Sequence, residues 1–226
     1  MEIRGLPSRY KLKTLGTFEM GDQREKVMSA VNALKAGRSV FLSGRPGSGK
    51  THLAVGLLYL KYADWLNRLD SPNTNEIYPS FIFLPSVELF LELKASFGRN
   101  DQSENDVLSG YVRSGDSLLV IDDVGAEKIS DWSRQMFYTL VDRLYRSERQ
   151  VIITSNLSLD QLSVQIDDRI ASRLVEMGEI ITLDPNDYRL KSGMPKPQQT
   201  IAATQLSANP PLAVRGSAGG VTEVPR

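Results

Sequence analysis

Residues 39–51 read SVFLSGRPGSGKT, and this string restricts the fold more than any other part of the chain. The apolar run Ser39–Ser43 has the length and composition of a buried strand. Gly44, Gly47 and Gly49 let the backbone after it curl, so that successive N–H groups converge on an anion. A helix that starts inside the string adds the partial positive charge of its N-terminus. A strand, then G-x-x-x-x-G-K-[ST], then a helix is a phosphate-binding loop. Lys50 is expected to reach the β- and γ-phosphates of ATP, and the Thr51 hydroxyl to join the shell of Mg²⁺. The expected nucleotide-contacting stretch is Gly44, Arg45, Pro46, Gly47, Ser48, Gly49, Lys50, Thr51 and His52. His52 itself is expected to pack or meet solvent rather than to catalyse.

Four further apolar runs follow, at SFIFLP (80–85), SLLVI (117–121), QVIITS (150–155) and EIITL (179–183), with helical patterns between them. Asp22 is expected to cap a first helix ending near Ala36, and a helix from Lys50 to about Leu69 follows the loop. Asp70–Pro79 reads as a loop. Ser86 is expected to cap a helix reaching Phe97, with Val87, Phe90 and Leu91 at helical spacing and Leu89 and Leu93 beside them. A short helix near 107–112, another from about Asp131 to Arg146 and two short ones before the last strand complete the pattern. Strands this apolar, separated by helices, predict a parallel sheet covered on both faces, an α/β doubly wound domain. Residues 1–20 read as a basic arm carrying Arg4, Arg9, Lys11 and Lys13, and residues 21–190 as the core. Beyond that, 192–226 holds five of the eleven prolines, four glycines and no aromatic residue. Such a segment buries too little to offset its ordering entropy, so residues 191–226 are expected to form a disordered tail.

The third strand ends in Asp122-Asp123. Two adjacent carboxylates at the C-terminal edge of a buried parallel strand are costly unless something uses their charge, and ligands of open α/β sheets bind at that edge. Asp122 is expected to orient Mg²⁺ through its waters, and Asp123 to polarise the attacking water. The fourth strand ends in Thr154-Ser155-Asn156, which puts a polar Asn156 between the phosphate loop and the acids.

Composition removes competing chemistries. There are 27 basic and 27 acidic residues, so zero net charge excludes a generally basic nucleic-acid coat, although a local patch is compatible with it. No cysteine excludes disulfides and thiolate sites, and a single histidine excludes His-rich metal clusters. No run approaches the length of a membrane span, and the N-terminus lacks a signal peptide's apolar stretch, so a cytoplasmic protein is expected.

With these residues in view, the chain resembles the DnaC/DnaI-type replicative helicase loaders and their IstB-type transposition-helper relatives among the AAA+ ATPases. The resemblance rests on GLPSRY (5–10), SGRPGSGKTHLA (43–54), LLVIDDVGAEKISDW (118–132), VIITSNLSLDQL (151–162), DRIASRL (168–174) and DYR (187–189). It implies a P-loop sheet of order 5-1-4-3-2 without a full C-terminal lid, and an ATPase that forms a homo-oligomer. It assigns Asn156 as the sensor beside the γ-phosphate and Arg173 as a finger reaching a neighbouring subunit's nucleotide. Arg169 is the alternative finger, and Arg189 a second sensing arginine. It further implies single-stranded DNA held by Lys94, Phe97, Ser130 and Trp132, and a replicative helicase, or a transposase, as partner. Asp123 stands where many AAA+ ATPases carry Glu, which implies slower hydrolysis or a nucleotide-gated scaffold. About twenty residues precede the first helix, so no helicase-docking domain is expected there.

Overall fold

The computed structural model describes residues 3–69, 80–96, 103–112, 117–125 and 130–183. The expected loop at 70–79, Phe97, Arg189 and the expected tail at 191–226 lie outside the described residues. Five strands form one parallel sheet: β1 (Ser39–Ser43), β2 (Phe81–Pro85), β3 (Leu118–Val124), β4 (Val151–Ser155) and β5 (Gly178–Thr182). Their order is β2-β3-β4-β1-β5, the 5-1-4-3-2 order read from the other edge. Neighbours pair in parallel, with Val40 opposite Ile152 and Glu179, and Phe81 opposite Leu118.

Side chains alternate between two cores because successive strand residues point to opposite faces. Val40, Leu42, Phe81, Phe83, Leu118, Val120 and Ile152 enter one core. It is covered by α1 (Arg24–Lys35) and α2 (Lys50–Leu69), through Val27, Leu34, Leu53, Leu57 and Trp65. Phe41, Ile82, Leu84, Leu119, Ile121 and Ile153 enter the other. That face is covered by α3 (Ser86–Ser96), α4 (Glu104–Tyr111), α5 (Asp131–Arg146), α6 (Leu159–Gln165) and α7 (Asp168–Met177). Each fully buried Leu, Ile or Phe contributes about 1.5–3 kcal/mol, so the two cores hold the sheet between its helical layers. Among the described residues no helix is long and apolar enough to cross a membrane.

Two local expectations are corrected. Asp22 does not cap α1: it lies in a 3₁₀ turn, Gly21–Gln23, and α1 begins at Arg24 without a side-chain cap. In α3 the buried apolar residues are Leu89, Phe90 and Leu93, while Val87 and Leu91 face solvent.

The basic N-terminal segment is built into the domain. The Arg4 N–H donates to Phe81 O (3.0 Å) and Phe83 N–H donates to Arg4 O (2.9 Å), a bridge that covers the edge of β2. Gly5 has φ +76°, and a Cβ there would lie 2.3 Å from the Phe83 carbonyl oxygen, so only glycine fits. Ile3 and Phe18 are buried, Tyr10 packs on Phe83, and the Arg4 and Arg9 guanidinium groups lie over the Tyr111 and Tyr10 rings.

Candidate nucleotide site

The loop after β1 takes the curled path that its glycines permit. Gly44, Gly47 and Gly49 have φ of +147°, +86° and +95°. A Cβ on Gly44 would meet the Leu183 carbonyl oxygen at 2.8 Å, and one on Gly49 would meet the Phe18 ring at 2.9 Å. Lys50 is the first residue of α2, so its backbone sits at the positive end of the helix dipole. Its Nζ donates to Gly44 O (2.8 Å), Arg45 O (3.0 Å) and Asn156 Oδ1 (2.9 Å). Asn156 Nδ2 in turn donates to Asp123 Oδ1 at 2.8 Å. The ammonium, the amide and the carboxylate thus form one chain from the phosphate loop to the acidic pair.

A second chain runs beside it. Thr51 Oγ1 donates to the Asp122 carboxylate, 3.0 Å from Oδ1 and 3.2 Å from Oδ2. Thr154 Oγ1 also donates to Asp122 Oδ1 (2.7 Å), and accepts the Asp123 N–H (2.8 Å). Asp122 is buried, and burial pushes its carboxyl above the ordinary range. The Thr154 and Thr51 hydroxyls pull it back, the neighbouring Asp123 charge raises it and Lys50 lowers it.

These residues fit a magnesium nucleotide. The buried Asp122 carboxylate faces two hydroxyls and the Lys50 charge, and a divalent cation beside it would offset its desolvation. Among the described residues no three His, Asp or Glu side chains form a metal cage. The oxygens of Thr51 and Asp122 would therefore share the ion with phosphate oxygens and water, as Mg²⁺ prefers. Bound there, the ion would neutralise phosphate charge.

Lys50, Thr51, Asp122, Asp123 and Asn156 are thus brought together, and Thr154 joins them although the sequence reading named only Asn156 from that string. His52 points elsewhere: its Nε2 lies 3.0 Å from Thr14 O and 3.1 Å from Thr17 Oγ1. Arg173 binds Asp142 through Nη2 (2.6 Å) and Nε (3.0 Å), and Nη2 donates to the Tyr138 hydroxyl (3.1 Å). Arg169 binds Asp167 (2.7 Å) with its guanidinium 4.1 Å from the Tyr138 ring centroid. Lys94 and Trp132 do meet, with Nζ 5.6 Å from the ring centroid, and Trp132 packs edge-on to Phe90 at the margin of the core. Ser130 caps α5: its hydroxyl accepts the Ser133 N–H, and Ser133 Oγ accepts the Ser130 N–H.

The family described as IstB-like ATP binding protein matches residues 17–195. The phage-like element PBSX protein XkdC of Bacillus subtilis (strain 168) is 29% identical over 144 residues, 62% of this chain and 47% of that one. The chain spans about half the length, or less, of the curated relatives it matches. The crystal structure of the DnaC helicase loader superposes with a TM-score of 0.61 at 24% identity, covering 79% of this chain and all of that one. A replication initiator DnaA bound to AMPPCP and single-stranded DNA gives 0.59 at 20%, covering 86% and 58%. At these identities the structural likeness is one of fold, the AAA+ P-loop fold. With the family match spanning most of the described domain, the chain belongs to the IstB-like ATP-binding family.

Proposed function

We propose that this chain is a Mg²⁺-dependent ATPase that assembles on single-stranded DNA and supports the loading of a replicative helicase. The observation that carries the reading is the Lys50–Asn156–Asp123 chain, which links the phosphate loop to the carboxylate able to polarise water. Lys50 and the loop bind the phosphates, Thr51 and Asp122 hold the cation, and Asp123 accepts a proton from water held with Asn156. Arg173 completes the site of a neighbouring subunit. To do so it exchanges Asp142 for phosphate, and Asp142 keeps its bond to Arg146 Nε (2.9 Å). Arg169 and Arg189 stand as further sensing groups. Lys94 over Trp132 offers phosphate neutralisation beside a stacking surface, which suits single strands of any sequence. Phe97 and Ser130 are further DNA-contacting residues in this reading. Fold likeness to a helicase loader and to an initiator solved with single-stranded DNA supports it. The chain acts in the cytoplasm.

The family match favours a second reading, a transposition helper that acts with a transposase on duplex DNA. Labelled single strands and duplexes of equal length, titrated with protein in saturating ATP·Mg²⁺, separate the two. The loader reading expects tighter binding to single strands, weakened several-fold in Trp132→Ala that still melts cooperatively. Preference for duplex would establish the helper instead. Absence of phosphate release with or without DNA would reduce the chain to a nucleotide-gated scaffold.

A further inference from the structure

Adjacent residues of a regular strand point to opposite faces of the sheet, yet Asp122 and Asp123 serve one site. The reason is a bulge. Ile121 pairs with Ile153, but the next pair is Val124 with Ser155, so two acids on β3 stand against Thr154 alone on β4. Asp123 takes φ +61°, a left-handed conformation that costs a non-glycine residue energy and persists only where neighbours impose it. Its N–H is claimed by Thr154 Oγ1, its carbonyl accepts from Ser86 Oγ (3.0 Å), and its carboxylate accepts from Asn156.

We infer that the Thr154 hydroxyl is the positioning group that turns the acidic pair into one reactive surface. It accepts the displaced Asp123 N–H while donating to Asp122, so a single oxygen fixes the carboxylate on the cation side and the backbone that aims the carboxylate on the water side. The hydroxyl is wholly buried and its hydrogen bonds go to the two acids, so it acts through them. Without it, the Asp123 N–H loses its acceptor and β3 is free to relax toward regular pairing, which turns Asp123 away from Asn156. This inference rests on the hydrolytic reading above for its kinetic consequence, but not for its structural one.

The test compares Thr154→Val, which keeps the branched shape and removes the oxygen, with Thr154→Ser, which keeps the oxygen. Thr154→Val is expected to lower kcat on the order of 10²-fold, the scale of a small misplacement of reacting groups, with ATP binding little changed. Thr154→Ser is expected to recover most of that loss. Independently of turnover, amide exchange should show the Asp123 N–H protected in the wild type and exposed in Thr154→Val, with Ile121 protected in both. If the wild type hydrolyses no ATP, the functional reading fails while the exchange measurement still judges Thr154. The inference is overturned if Thr154→Val turns over like the wild type, if Thr154→Ser is as impaired as Thr154→Val, or if the wild-type Asp123 amide exchanges freely. It is equally overturned if Thr154→Val cannot fold, since the hydroxyl would then serve the fold rather than the acids.

Discussion

Asn156 divides one amide between a cation and an anion: its oxygen accepts from Lys50 and its nitrogen donates to Asp123. Those partners fix which way the amide points, because an ammonium only donates and a carboxylate only accepts. His52, two residues beyond Lys50, is tied to the N-terminal segment instead. Thr14 presents a carbonyl, so Nε2 must carry the proton and donate it. Burial holds this imidazole below its ordinary value of about 6.5, against the raising effect of the Thr14 carbonyl and with some help from Lys13. A base with a depressed folded-state pKa binds protons more readily in the unfolded chain. Stability is accordingly gained as pH rises from the folded value to about 6.5 and lost as pH falls through that interval. Because the chain has one histidine, the comparison is clean. Melting temperatures should fall on acidification below about 6.5 in the wild type, and that fall should be smaller in His52→Gln. Equal pH dependence in both would remove His52 as the cause.

At the scale of elements, α5 and α7 carry most of what the resemblance assigned beyond the nucleotide. Ser130 and Ser133 cap α5 reciprocally, which accounts for Ser130 without DNA. Ser130→Ala should cost about 1 kcal/mol of stability, read as a drop of several degrees in Tm. A variant as stable as the wild type but weaker for single-stranded DNA would show a DNA contact instead. Arg173 on α7 is held by Asp142 and Tyr138 on α5, so action in trans requires a change of partner. Arg173→Ala should bind ATP yet lose turnover by roughly 10³-fold, and mixing it with Lys50→Ala should restore part of it. Asp142→Asn, which weakens the hold without removing Arg173, should keep turnover. Normal turnover in Arg173→Ala would leave the residue as a strut between the two helices. The α3 face departs from simple helical spacing for a local reason. Ser86 follows Pro85 with no linker and its hydroxyl donates to the Asp123 carbonyl, so the strand sets the helix phase and Val87 and Leu91 turn outward.

Across the whole molecule, legibility followed sequence distance. The phosphate loop, the acids and Asn156 declare themselves because their chemistry is local: residue types at fixed spacing beside an apolar run. The bulge at Asp122-Asp123 does not, since it exists only when β3 pairs with β4, about thirty residues away, and Thr154 gains its role there. The N-terminal segment was hidden differently. Its basic composition advertises a solvated arm, while Ile3 and Phe18, buried at no regular spacing, bind it to the sheet and to the loop glycine Gly49. The phosphate loop and the N-terminal segment therefore pack together, and ligand bound at the loop should stabilise both. The most direct measurement is the thermal melt of the wild type and of Lys50→Ala, each with and without ATP·Mg²⁺. If Lys50 supplies the fixed positive charge facing the phosphates, the wild type should melt several degrees higher with nucleotide and Lys50→Ala should show no shift. An equal shift in the two proteins would contradict the assignment of the phosphate loop.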